Sequence, residues 1–212
     1  MIIVHHLNNS RSQRVLWLLE ELGIEYDIKF YERDSKTMLA PASLRQVHPL
    51  GKSPVITDAE VTVAESGAII EYIVERYGNG QLIPKSGTPE RLRYTYWLHY
   101  AEGSAMPPLV MNLIFNRFGA GDSGANDAFI APQIELHFDY IEAELGKSTW
   151  FVGSEFTAAD IQMSFPLELV VLQAELISSR PKIQEFIERI HARPAYKRAL
   201  ERGGKYDYAN SI

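Results

Sequence analysis

The periodicity of this chain changes once, near residue 80, and that change constrains the fold more than any other feature. Before it, strand-like and helix-like patterns alternate. IIVHHL (2–7) reads as a short strand. Val15, Leu18, Leu19 and Leu22 then recur at helical spacing, with Gly23 just past the expected helix end. YDIKFY (26–31) alternates and is β-prone, so a right-handed crossover and a parallel strand pair are expected. A polar, partly helical stretch follows (35–47). PVITD (54–58) and VTVAE (61–65) flank the turn Ala59-Glu60 and read as an antiparallel hairpin, although the turn lacks the usual Gly or Asn. Ile69, Ile70, Ile73 and Tyr77 mark another helix, closed by Gly78. The pattern is β-α-β-α-β-β-α, a mixed sheet with helices.

After it, only helical spacing remains. NGQLIPKSGTP (79–89) is rich in Gly and Pro and reads as a linker. Thr88-Pro89 supplies a cap and first residue for a long helix toward Phe118, which GAGDSG (119–124) breaks. Ile134, Phe138, Ile141 and Leu145 mark a further helix, residues 157–173 and 181–192 two more, and Pro194 a short last one. The expected division is 1–78, a linker at 79–88, and an all-helical domain over 89–212.

Composition removes several classes of function. A net charge of −6 and a pI near 5.5 argue against nucleic acid as a partner. The chain has no cysteine, which removes disulfides, thiolate metal sites and any redox pair of its own. It shows no signal peptide and no apolar run of membrane length, so a soluble cytoplasmic protein is expected. No G-x-S-x-G elbow is present, and Ser66 in ESG lacks the paired glycine. No HExxH or comparable spacing exists, and the adjacent His5 and His6 face opposite sides of a strand, so no metal is expected. Both histidines read as ordinary strand residues.

Three places remain for chemistry. NNSRSQRV (8–15) puts the hydroxyls of Ser10 and Ser12 at a helix start. Ser10-Arg11-Ser12-Gln13 fits a capping box, and Ser12 is the alternative cap. Pro54, in HPLGKSPVI, starts an edge strand or is a cis proline that presents the backbone of Ser53 to an extended ligand. Glu65-Ser66 sits where a strand meets a helix, whose unpaired N–H groups suit a carboxylate. There the Ser66 hydroxyl adds a donor and Glu65 an acceptor for an ammonium, unless Ser66 is only a cap.

Together, SRSQRVLWLLEELG, HPLGKSPVI and ESGAIIEYI, followed by a helical domain carrying FTAADI (156–161), resemble the cytosolic glutathione transferase family, in its bacterial-type, serine-dependent form, over the whole chain. The resemblance implies a thioredoxin-like domain over 1–78 and glutathione as co-substrate. It implies that Ser66 and its helix hold the γ-glutamyl carboxylate and that Glu65 meets the ammonium. The Ser53 backbone, before cis-Pro54, would pair with the cysteinyl backbone, and Lys52 would lie near the glycyl carboxylate. His48 and Ser53 depart from the commoner Asn and Val. The thiol-facing hydroxyl falls at or next to Ser10, with Asn9 the runner-up. Such a serine is a hydrogen-bond donor to a thiolate, so no triad is needed. The second substrate is a small electrophile, with peroxides and disulfides included. Met106, Met111 and Phe115 either line its pocket or belong to the core. In FTAADI, Thr157 caps a helix and Asp160 reaches back three residues, a folding element. The resemblance also implies a homodimer in which Glu102 approaches the partner's glutathione, no membrane, and a detoxifying role. The competing readings are a non-catalytic binding or assembly protein of this fold and a glutathione-dependent isomerase or dehalogenase.

Overall fold

A computed structural model describes residues 1–117, 126–171 and 174–210. They form two compact units, Met1–Ile83 with Ile190–Ile212, and Pro84–Arg189. The first boundary falls inside the Gly/Pro-rich stretch. The last two dozen residues, which read as part of the helical half, pack instead with the first unit.

In that first unit, β1 (Ile2–Leu7), α1 (Ser12–Leu22), β2 (Tyr26–Tyr31), β3 (Val55–Asp58), β4 (Val61–Ala64) and α2 (Ser66–Tyr77) follow in order. The sheet order is β2-β1-β3-β4. β1 and β2 are parallel, Ile2 opposite Tyr26 through Leu7 opposite Tyr31. β3 runs antiparallel to both β1 and β4. The helix expected within 35–47 is only a 3₁₀ turn, Ala42–Gln46. Pro41 precedes it and Leu44 is its one buried side chain, too little apolar surface to hold a longer helix. The hairpin closes without glycine because Ala59 takes φ 53°, a left-handed value a side chain adopts at some cost.

α1 is buried from Ser12 to Leu19, on every face. A helix so enclosed needs cover on both sides, and α9 (Pro194–Gly203) supplies one of them. Trp17 meets Tyr196 edge-to-face at 5.1 Å. Arg193 grips Glu21 with both Nε and Nη2, and Arg198 and Arg202 meet Glu20. Gly23 ends α1 at φ 65°, and Ile24 N–H returns to the Leu19 carbonyl at 3.0 Å, as a left-handed cap requires.

The second unit is helical. Thr88 Oγ1 accepts Arg91 N–H at 3.2 Å, and Pro89 opens α3 (Pro89–Tyr100). One wider π turn, Ala101–Ala105, joins it to α4 (Met106–Arg117). Phe118 and GAGDSG lie outside the described residues. α5 (Ala131–Leu145), α6 (Ala158–Val171), α7 (Ala174–Ser178) and α8 (Pro181–His191) follow; residues 172 and 173 of the stretch expected as helix are likewise outside. Trp97, Phe138, Phe151 and Phe186 fill the core. At the start of α6 the Asp160 carboxylate accepts Thr157 N–H and Phe151 N–H, each at 2.8 Å, and the Thr157 hydroxyl at 3.0 Å. Complete burial pushes its carboxyl up to about 6. Asp160 reaches back as expected, but Thr157 donates its hydroxyl to that carboxylate, and Asp160 N–H goes to the Thr157 carbonyl. Among the described residues no helix is long and apolar enough to cross a membrane.

Candidate active site

The strand register gathers three loops. His5 lies opposite Val55, and Val55 opposite Ala64. Because β3 runs against β1 and β4, the end of β1, the start of β3 and the end of β4 share one sheet edge. Asn8–Arg11, Ser53-Pro54 and Glu65-Ser66 emerge there together.

The first loop is tied on both flanks. The Asn8 side-chain oxygen accepts Arg33 N–H at 3.0 Å, and Arg33 donates to the carbonyls of Asn8 and Asn9, both at 3.2 Å. Asn9, at φ 49°, donates its amide to Asp207 Oδ2 at 2.6 Å and accepts Asp207 N–H at 2.9 Å. Ser10 and Ser12 are buried, with oxygens 2.7 Å apart. Ser10 Oγ also accepts Ser12 N–H at 3.2 Å. Ser12 Oγ lies 2.9 Å from His6 Nδ1 and accepts Leu7 N–H at 3.3 Å. His6 is buried, which pushes its imidazole down to about 4. His5 faces the other way, toward Tyr31 and Thr57.

The capping box does not form. Gln13 N–H goes to the Ser10 carbonyl at 3.2 Å, and the Gln13 amide makes no hydrogen bond among the described residues. The Gln13 amide lies instead against Gly203, where an added Cβ would stand 2.8 Å from its Oε1. Ser12 is not a cap either, being the first residue of α1.

The Ser53–Pro54 bond is cis. Pro54 is buried, the Ser53 hydroxyl donates to the His5 carbonyl at 3.0 Å, and Lys52 is exposed. Gly51 has φ 58°, a left-handed value that glycine takes without strain, and a Cβ there would stand 2.7 Å from the Arg45 side chain. His48 Nδ1 is buried with no hydrogen-bond partner among the described residues.

Glu65 has φ 70° and ψ 120°, a conformation held at a cost that concentrates at functional sites. Its side chain is exposed and does not cap α2. Ser66 is buried and opens the helix, whose first turn holds no acidic residue. Arg14, buried inside α1, donates to the Ser66 hydroxyl at 3.4 Å. The only trace of Arg14 in the sequence is a charge at the head of the apolar run VLWLL. The arrangement is a helix N-terminus backed by a buried guanidinium, which suits an anionic group.

In the second unit Met106 is buried, Met111 exposed and Phe115 half-buried, the last two on one face of α4. Glu102 is half-buried in the π turn. Among the described residues no group of three His, Asp or Glu side chains is placed to hold a metal ion.

Comparison with known proteins adds the family. Residues 1–75 match the glutathione S-transferase N-terminal domain and residues 125–194 the C-terminal domain. The chain is 35% identical to glutathione S-transferase 3 of Schizosaccharomyces pombe, over 95% of this chain and 88% of that protein. It is 30% identical to glutathione S-transferase 1 of Saccharomyces cerevisiae, over 95% of each. A crystal structure of a glutathione S-transferase from Actinobacillus pleuropneumoniae superposes with a TM-score of 0.89 at 34% identity, covering 99% of this chain and 96% of that one. A Phanerochaete chrysosporium transferase solved with oxidised glutathione shares the fold, with a TM-score of 0.81 at 22% identity over 95% of this chain and 96% of that one. With a thioredoxin-like sheet, a cis proline at its edge, a helical second unit and relatives of this identity over nearly its whole length, the chain belongs to the cytosolic glutathione transferase family and is a glutathione transferase.

Proposed function

We propose that this transferase holds glutathione along the sheet edge described above and uses Ser10 to stabilise its thiolate. The observation that carries the reading is the meeting of two helix starts, α1 and α2, bridged by Arg14 and Ser66 beside cis-Pro54. The γ-glutamyl carboxylate sits at the start of α2 on Ser66, with Arg14 behind it, and Glu65 takes the ammonium. The Ser53 backbone pairs with the cysteinyl backbone, and Lys52 faces the glycyl carboxylate. Asn9 shapes the loop that carries Ser10. A thiol with a pKa of about 8.5 is mostly protonated at neutral pH. One hydroxyl donor and the positive end of α1 lower it by roughly one to two units, each worth about 1.36 kcal/mol. The thiolate then attacks a small electrophile, a carbon centre, peroxide or disulfide, in an apolar pocket to which Met106, Met111 and Phe115 contribute.

We further propose a cytoplasmic, detoxifying homodimer. Exposed Leu92, Tyr96 and Leu136 on the helical unit supply apolar surface for a two-fold contact, with Glu102 approaching the partner's glutathione.

The test joins binding to ionisation. Glutathione raises the melting temperature of the native protein, and Glu65→Ala or Ser66→Ala reduces that protection. Ser10→Ala cuts turnover roughly 10²-fold and raises the thiol pKa of bound glutathione in ultraviolet titration. A melting temperature indifferent to millimolar glutathione overturns the site. An unchanged thiol pKa in Ser10→Ala overturns the role of Ser10.

A further inference from the structure

Asn9 takes φ 49°, a left-handed value, immediately before Ser10. Asparagine tolerates that conformation better than most residues because its short amide can bond the neighbouring backbone. Here, among the described residues, it does not. The Asn9 amide donates to Asp207 Oδ2 at 2.6 Å, and the Asn9 side-chain oxygen accepts Asp207 N–H at 2.9 Å. The two bonds close a ring between one side chain and one residue, which fixes the Asn9 amide in both position and rotation. From the other flank Arg33 Nη2 holds the Asn9 carbonyl and Arg33 Nε the Asn8 carbonyl, each at 3.2 Å.

Asp207 is itself held in place. Gly204 ends α9 at φ 79° and ψ −153°, a combination open almost only to glycine, and redirects the chain. Tyr206 is buried and meets Tyr208 edge-on at 5.1 Å. Between them Asp207 opens a 3₁₀ turn, Asp207–Asn210, with Oδ1 lying 3.1 Å from Lys205 Nζ. Oδ2 is the oxygen that takes the Asn9 amide.

The torsion at Asn9 decides where Ser10 stands. β1 fixes the chain up to Leu7 and α1 fixes it from Ser12, so Ser10 lies on a short span between two regular elements. A return of Asn9 to negative φ would swing the peptide that joins it to Ser10 and carry the Ser10 hydroxyl with it. Asn9 is polar and half-buried, so apolar packing does little to oppose that swing.

We propose that Asp207 is a positioning residue for the transferase reaction: by gripping both ends of the Asn9 amide it holds the left-handed turn that presents the Ser10 hydroxyl to the glutathione thiol. This rests on Ser10 facing the thiol. Asp207 acts through Asn9 and does not touch the sulfur. A hydroxyl that is turned or displaced is a weaker donor to a thiolate. The effect therefore falls on ionisation and turnover, while Ser66 and Arg14 keep the γ-glutamyl end in place.

The test compares Asp207→Ala with Asp207→Asn, by ultraviolet titration of the thiol of bound glutathione and by turnover with chlorodinitrobenzene as the electrophile. Asp207 is exposed, so both variants fold. Asp207→Ala removes the acceptor of the Asn9 amide. It raises the thiol pKa by about half a unit. It lowers kcat about 10-fold and leaves KM for glutathione within about 2-fold. Loss of the charge alone would lower the thiol pKa, since a nearby carboxylate disfavours a thiolate, so a rise reports the lost grip. Asp207→Asn keeps an oxygen for the Asn9 amide together with the backbone N–H, and holds the thiol pKa and kcat near their native values. Added to Ser10→Ala, Asp207→Ala changes the thiol pKa no further, because it acts only through Ser10. A contact that merely steadied the fold would lower the melting temperature of Asp207→Ala and leave the thiol pKa alone; that result overturns the proposal. So does an Asp207→Asn variant as impaired as Asp207→Ala. Ser10→Ala separates the two claims. If it leaves the thiol pKa unchanged, Ser10 does not face the thiol; if it raises the pKa while Asp207→Ala has no effect, only the role of Asp207 falls.

Discussion

Burial of His6 makes the fold sensitive to acid in a defined window. In the unfolded chain an imidazole titrates near 6.5, whereas in the folded protein His6 titrates at about 4. The folded value is the lower one, so the contribution is complete above pH 6.5 and is lost as pH falls toward 4. Integrating the two titrations from pH 7 gives a loss of about 2 kcal/mol by pH 5 and about 3 kcal/mol by pH 4. Other groups titrate in the same range. His5 is also held low by burial and by Lys29, and adds in the same sense. Asp160, pushed up to about 6, holds its proton more tightly when folded and so adds stability as pH falls through that window. These terms are common to the native protein and to His6→Asn, whose amide does not titrate. The assay is therefore a difference: urea unfolding of both proteins at pH 7, 6, 5 and 4, followed by tryptophan fluorescence. The native protein loses about 3 kcal/mol more than the variant between pH 7 and pH 4. A gap independent of pH would show that His6 is not buried neutral.

Two further outcomes follow from buried polar contacts. Asp160→Ala leaves two backbone N–H groups and the Thr157 hydroxyl without their acceptor, and costs about 3 kcal/mol in urea unfolding; a loss under about 1 kcal/mol contradicts the assignment. Arg14→Gln withdraws the guanidinium from behind Ser66 and weakens glutathione about 10-fold or more by calorimetry, equal to about 1.4 kcal/mol; an unchanged affinity in a folded variant removes Arg14 from the site.

What the sequence made legible was local. The alternation of YDIKFY, the spacing of Ile69, Ile70 and Ile73, and Thr88-Pro89 each carry their own cause within a few residues, and each appears as expected. Pro54, just before β3, is cis as the resemblance implied, and the other reading, an edge-strand start, fails because β3 lies between β1 and β4. What stayed hidden was set by partners distant in the chain. Gln13 matches a capping box by spacing, yet its side chain lies against Gly203, far along the chain. The last helix reads as one more member of the helical half, yet Glu20 and Glu21 of α1 draw Arg193, Arg198 and Arg202 onto the first unit. Arg14 and His6 look like an isolated charge and an ordinary strand histidine until α2 and α9 close over them. The short 3₁₀ turn after Pro41 was legible only as something polar and partly helical, because a single buried Leu44 gives no period to read.

The three candidates for the thiol-facing donor differ in what each must give up. Ser12 is fully buried, and its oxygen already meets Leu7 N–H, the Leu7 carbonyl, His6 Nδ1 and the Ser10 hydroxyl. Asn9 is half-buried, and its amide is fixed at both ends by Asp207. A second amide hydrogen remains to it, but in a hydrated setting a donor gains little by exchanging water for sulfur. Ser10 is buried, where a bond to a charged partner is stronger. Either hydroxyl of the Ser10–Ser12 pair can donate to the other, so Ser10 is able to turn its hydrogen outward while Ser12 donates to it.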